Sequence, residues 1–201
     1  LDQVKIYRVD YEYGKLKLID IIRGLIESAP RMIRFSRDGK HAYILYELMN
    51  VIEVYNYSIV DDMPMFEKIQ TISTMTDKDD DVCAASGMEI SKSGKYLMCS
   101  NAGVNSVVCY EINSDTGMLS EVFGTRVNSD YPKVLAICPD EQHYLTLNNN
   151  SNDIFSYKID FENPTEVAKH QQIVEMVQNI MQLKEQLASA PNATRRTVLE
   201  H

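Results

Sequence analysis

The chain has 201 residues, with 29 acidic against 20 basic side chains and a formal charge of −9. Its Lys and Arg form no stripe, so the basic footprint that nucleic acid requires is missing and no nucleic-acid partner is expected. The hydrophobic share of 44% is ordinary for a soluble protein, and no apolar run approaches the ~18 residues of a membrane span, so no membrane role is expected.

In chain order, the opening VKIYRVD (4–10) reads as a strand. Gly14 and Leu16 follow Tyr7 at the spacing at which Gly117 and Leu119 follow Tyr110. Leu1 is therefore expected to open at the end of the second strand of a blade whose first half is absent. The sequence does not open on an initiator Met, and no secretory signal is expected.

Three copies of one pattern follow: PRMIRFSRDGKHAYILYELMNVIEVYNY (30–57), GMEISKSGKYLMCSNAGVNSVVCYEI (87–112) and YPKVLAICPDEQHYLTLNNNSNDIFSYKI (131–159). Gly39-Lys40, Asn50 and Tyr55 recur 55 residues later as Gly94-Lys95, Asn105 and Tyr110, and 47 further on as Asn152 and Tyr157. A strand-like period of that length predicts a β-propeller, one blade per copy. Each copy starts with a strand (31–36, 86–91, 133–138), then a polar turn and a second strand (41–47, 95–101, 143–149). An Asn-bearing turn leads into a third strand ending at the repeated Tyr. Fourth strands are expected over Phe66–Ser73 and Met118–Arg126.

The third copy changes period instead. Ile173, Met176, Ile180, Leu183 and Leu187 fall at helical spacing, which predicts an amphipathic helix over 165–188 between Thr165 and the stop at Pro191. Asn192-Ala193-Thr194 is a chance sequon, and residues 199–201 read as a tag remnant. The expected fold is all-β: residues 1–160 form a partial β-propeller of about three and a half blades, and 161–198 form a helical tail. Such an array leaves blade edges and apolar flanks open, so self-association through those edges or through the 165–188 helix is expected.

Few residues carry chemistry. Cys83, Cys99, Cys109 and Cys138 make no C-x-x-C pair and read as small buried hydrophobes of a reducing cytoplasm. Metal ligation is the alternative, but no His stands at ligand spacing, so neither metal nor cofactor is expected. Asp77, Asp79 and Asp81 alternate as calcium ligands do, yet Val82 and Met88 occupy the places where an EF-hand needs Gly and Glu. A solvated acidic loop is the reading. Glu47, Ala102 and Asn149 share one place in the repeat, at the end of the second strand, where they are expected to face one another around a channel. With Arg31, Lys133, Asn101 and Asn148, such a channel suits a polar anion. The alternatives are a paired or solvated strand-end carboxylate for Glu47 and plain surface roles for Arg31 and Lys133.

The wording of these segments, from DQVKIYRVD through APRMIRFSRDGKHAYILYELMNVIEVYNY and AASGMEISKSGKYLMCSNAGVNSVVCYEINSDTGML to FSYKID, resembles the seven-bladed lactonase family. That family holds the propeller-type 6-phosphogluconolactonases and the eukaryotic carboxymuconate-lactonizing enzymes. The resemblance covers about 1–160 and only the second half of a family member. It implies a small anionic lactone as ligand and a His, Glu and Arg around the channel. By position the Glu falls on Glu47, the Arg on Ala102, and the His upstream of Leu1; Met32 stands where the family favours a second His. One function expected on this basis is lactone hydrolysis, with Glu47 as base or proton carrier and Arg31 or Lys133 beside the anionic group. The other is a non-catalytic binding or scaffold propeller, which Ala102 and Met32 favour. Little or no turnover is expected of this chain.

Overall fold

A computed structural model describes residues 2–76, 83–159, 161 and 169–170. Two strands, β1 (Gln3–Asp10) and β2 (Lys15–Arg23), pair alone. Three four-stranded antiparallel sheets follow. Blade 2 holds β3 (Pro30–Phe35), β4 (His41–Tyr46), β5 (Val51–Val60) and β6 (Met63–Ser73). Blade 3 holds β7 (Ala84–Ile90), β8 (Tyr96–Ala102), β9 (Ser106–Ile112) and β10 (Leu119–Arg126). Blade 4 holds β11 (Pro132–Ile137), β12 (His143–Asn148), β13 (Asp153–Lys158) and β14 (Lys169–His170). All described regular structure is therefore β, in the radial order the repeat predicts.

Blade 4 departs from expectation at one point. Lys169–His170 pair in register with Ser156 and Tyr157, giving the sheet a short fourth strand where three were expected. The rest of the 165–188 helix, the 199–201 remnant and the 77–81 aspartates lie outside the described residues.

Alternation within each strand builds the core. On β4, Ala42, Ile44 and Tyr46 pack toward the first unit, while Tyr43 and Leu45 pack toward blade 3. On β9, Val108, Tyr110 and Ile112 face blade 2, and Val107 and Cys109 face blade 4. Both faces are covered, so these strands read as nearly unbroken apolar runs rather than as half-polar ones. Ala42, Ile44, Val54 and Val108 are fully buried, as blade packing requires. Leu145, on β12, is only half-buried. Its equivalent Met98 packs against blade 4, whereas Leu145 looks out from the last described blade. Cys83, Cys99 and Cys109 are buried, and burial pushes the Cys109 thiol up to about 12.

The repeated Asn of the turns is a fastener between blades. Asn50 sits at φ 53°, Asn105 at 55° and Asn152 at 54°, in the left-handed region that Asn tolerates. The Asn50 Oδ1 accepts from Ala85 N–H (2.9 Å) and its Nδ2 donates to Cys83 O (3.1 Å), both at the start of blade 3. Asn105 does the same for blade 4 through Tyr131 N–H and Asp130. The first unit has an equivalent that the sequence pattern hides: Asp2. Its carboxylate accepts from Glu27 and Ala29 N–H, and its carbonyl accepts from Gly24 as the Asn50 carbonyl does from Thr74.

Candidate functional site

Strands β3, β7 and β11 are the first of each full blade, and they lie side by side in space. Each carries a β-bulge at the same place in the repeat: between Pro30 and Met32, Ala85 and Gly87, and Pro132 and Val134. The bulged residues are Arg31, Ser86 and Lys133. A bulge breaks the two-residue alternation and re-aims one side chain, and such features gather beside functional clefts. Ala29 and Tyr131, at φ 51° and 63°, precede the prolines that open β3 and β11 and hold the backbone in the left-handed region just ahead of the bulge. Gly87 lets β7 and β11 approach closely: a Cβ there would lie 2.7 Å from Leu135 N and 2.8 Å from Ser100 Oγ.

The three strands wall a cleft of about 550 Å³ lined by Arg31, Arg34, Ser86, Glu89 and Lys133 among others. At one end Glu47 is clamped between cations. Arg31 Nη1 donates to Glu47 Oε2 at 2.8 Å, and Lys133 Nζ lies 3.7 Å from Oε1. Arg31 Nε also donates to Ser86 O at 2.7 Å, tying β3 to β7. Lys133 Nζ stands 5.2 Å from the Tyr131 ring centroid, a cation–π contact. The Arg31 and Glu47 side chains keep about a quarter of their surface exposed, enough to meet a ligand. A second ion pair, Arg34 Nη2 to Glu89 Oε2 at 3.3 Å, crosses from β3 to β7 in the same cleft. Three cations against two carboxylates leave a site suited to an anion.

Of the residues expected from sequence, Arg31, Glu47 and Lys133 are thus brought together. Glu47, Ala102 and Asn149, which hold one place in the repeat, differ in their surroundings. Glu47 lies in the turn just past β4, Ala102 is wholly buried at the end of β8, and Asn149 is exposed past β12. Asn101 and Asn148 are buried and spend their amide N–H groups inside the fold. Asn101 is fully buried, its Nδ2 donating to Thr74 O (2.5 Å) and Ser106 Oγ (3.1 Å). Asn148 Nδ2 donates to Asp153 Oδ1 at 2.8 Å within its own hairpin. Arg34, Ser86 and Glu89 also line the cleft, and the 55-residue step of the repeat relates them to their partners. Arg31 bonds Ser86 and Arg34 bonds Glu89, each one repeat apart. Among the described residues no group of His, Cys, Asp and Glu is arranged to hold a metal ion.

Residues 1–178 match the family model of the seven-bladed β-propeller lactonases. A 6-phosphogluconolactonase of Blochmanniella pennsylvanica is 28% identical over 166 residues, 81% of this chain and 48% of the relative. An uncharacterized Lactococcus lactis protein is 29% identical over 76% of this chain and 44% of its own length. The periplasmic gluconolactonase of Pseudomonas aeruginosa superposes with a TM-score of 0.77 at 23% identity, covering 85% of this chain and 48% of that structure. At that identity the likeness shows a shared fold. The chain thus spans about half the length of the relatives it matches.

Proposed function

Since the chain belongs to the lactonase family of seven-bladed β-propellers, we propose that its cleft is the anion-binding wall of a lactone-hydrolysing site, for 6-phosphogluconolactone or a related sugar lactone. The observation that carries this reading is the Arg31–Glu47–Lys133 cluster, held by two bulged inner strands at the mouth of one cleft. Guanidinium and ammonium groups together suit the phosphate or carboxylate of such a ligand. In hydrolysis, a water oxygen attacks the lactone carbonyl and the ring C–O bond breaks. The proton leaving the water ends on the ring oxygen, and Glu47 is the carboxylate placed to carry it.

A second reading, binding without turnover, is favoured by one feature of the same cluster. Both Glu47 oxygens already face cations, and the position that the family resemblance assigns to Arg is the buried Ala102. A carboxylate so engaged anchors the cations more readily than it strips a proton from water. We therefore expect this chain to bind a phosphorylated aldonate such as 6-phosphogluconate, with Arg31→Ala weakening binding roughly tenfold or more. We also expect no lactonase rate above background in a dehydrogenase-coupled assay, because losing one member of a cooperating set removes most of the catalysis. Robust turnover abolished by Glu47→Gln would overturn the second reading. Absence of anion binding would overturn both.

A further inference from the structure

The Arg34–Glu89 pair is a separate tier of the same cleft. Arg34, Glu89 and Ala136 hold one place in the repeat, three residues beyond Arg31, Ser86 and Lys133 on the same three strands. All six line the cleft. The small side chain of Ala136 leaves open the third seat of this tier, beside the ion pair. Both charged side chains remain 36% exposed, so solvent or ligand reaches them. Arg34 uses Nη1 on Ile33 O (3.1 Å) and Nη2 on Glu89 Oε2. The recorded ion pair engages Glu89 through Oε2.

Resting on the reading of the cleft as an anion site, we propose that Glu89, oriented by Arg34, is a specificity-determining residue that accepts hydrogen bonds from the hydroxyls of a polyhydroxylated anion whose charge sits on Arg31 and Lys133. A carboxylate is an acceptor only, with lone pairs for several donors, and a fixed carboxylate–guanidinium pair presents them rigidly. A ligand without hydroxyls leaves that acceptor unanswered, and sites built this way discriminate steeply against such ligands. The first tier thus reads charge and the second reads the polyol.

The two possible actions of Glu89 on an anion have opposite signs, which makes the test decisive. Titration calorimetry compares 6-phosphogluconate with inorganic phosphate on the wild-type chain, Glu89→Ala and Glu89→Gln. The expected result is that Glu89→Ala weakens 6-phosphogluconate roughly tenfold while phosphate is unchanged or tightens, with Glu89→Gln falling between. If Glu89 acts only as a fixed negative charge, its removal tightens both anions together, and the proposal fails. It fails equally if melting temperature drops while the ratio of the two affinities stays put, since the pair is then structural. Phosphate binding that depends on Arg31, with an unmoved ratio, overturns this inference alone. No binding of either anion to the wild-type chain overturns it together with the reading of the cleft. Should Glu89→Ala not fold, Glu89→Gln carries the same comparison.

Discussion

Tyr110 on β9 and Tyr7 on β1 hold the same place in the repeat and meet opposite surroundings. Tyr110 is wholly buried, and its hydroxyl donates to Ser73 O of blade 2 at 2.6 Å. Tyr7 is 42% exposed. The contrast extends to the whole strands: β9 is buried at every position but Glu111, whereas β1 has no buried position. Both strands carry two Val, one Ile and one Tyr. A blade's burial is therefore set by its two neighbours rather than by its own residues, as expected of stacked repeats in which interface terms carry much of the stability.

The largest test of that contrast sits in the core. Leu97→Ala in blade 3, which packs among Leu45, Val54 and Val108, should cost about 2–5 kcal/mol in urea unfolding. Leu18→Ala on β2, 46% exposed, should stay within about 0.5 kcal/mol. Equal losses would show that the first unit is packed as tightly as the interior.

The fasteners sharpen the comparison. Asn105→Ala removes the bonds to Tyr131 N–H and Asp130 and forces Ala into a left-handed conformation. A loss of about 1–3 kcal/mol is expected, with faster amide exchange confined to the junction of blades 3 and 4. Exchange that accelerates evenly over the chain would deny that the fastener is local.

The subtlest difference is one of pH. The first unit is fastened by Asp2 where the others use Asn, and Asp titrates. The N–H of Ala29, then that of Glu27, holds the Asp2 carboxyl below its ordinary value. A depressed folded pKa contributes stability above the unfolded value of about 3.9, and that contribution fades as pH falls through the folded pKa. Acid should thus release the Glu27 and Ala29 amides before those of Ala85 and Tyr131, which meet neutral Asn. Amide chemical shifts followed from pH 6 downward read this directly, and Asp2→Asn should erase the difference. Simultaneous release of all four amides would refute it.

The blades were legible because their anchors recur at fixed steps and their strands carry both turn chemistry and apolar runs. Asp2 was not, since a one-atom change from amide to carboxylate broke the letter pattern while keeping the acceptor. At the cleft, spacing showed that Glu47, Ala102 and Asn149 are equivalent but not which strand faces inward. The bulges decide that, and a bulge leaves no mark in the alternation until pairing partners are known. Asn101 looked like a ligand contact because it is polar beside a strand end. It is polar because the Thr74 carbonyl, buried between blades, needs a donor. Arg34 and Glu89 needed only the same 55-residue step applied to the first strand instead of the second.

The reach of the contacts between blades has a consequence for how the chain assembles in time. Arg31 to Ser86, Arg34 to Glu89, Arg37 to Ser91 and Ser93 to Glu141 join residues 55, 55, 54 and 48 apart. These four side-chain links span about one repeat, and only longer ones such as Lys133 to Glu47 skip a blade. A chain emerging from the ribosome at ~5–20 residues per second waits only seconds for the next blade to appear. Each new sheet finds its dock already made by the one before it, and folding can advance along the chain like a zip, with the apolar face of only the newest blade open at any moment.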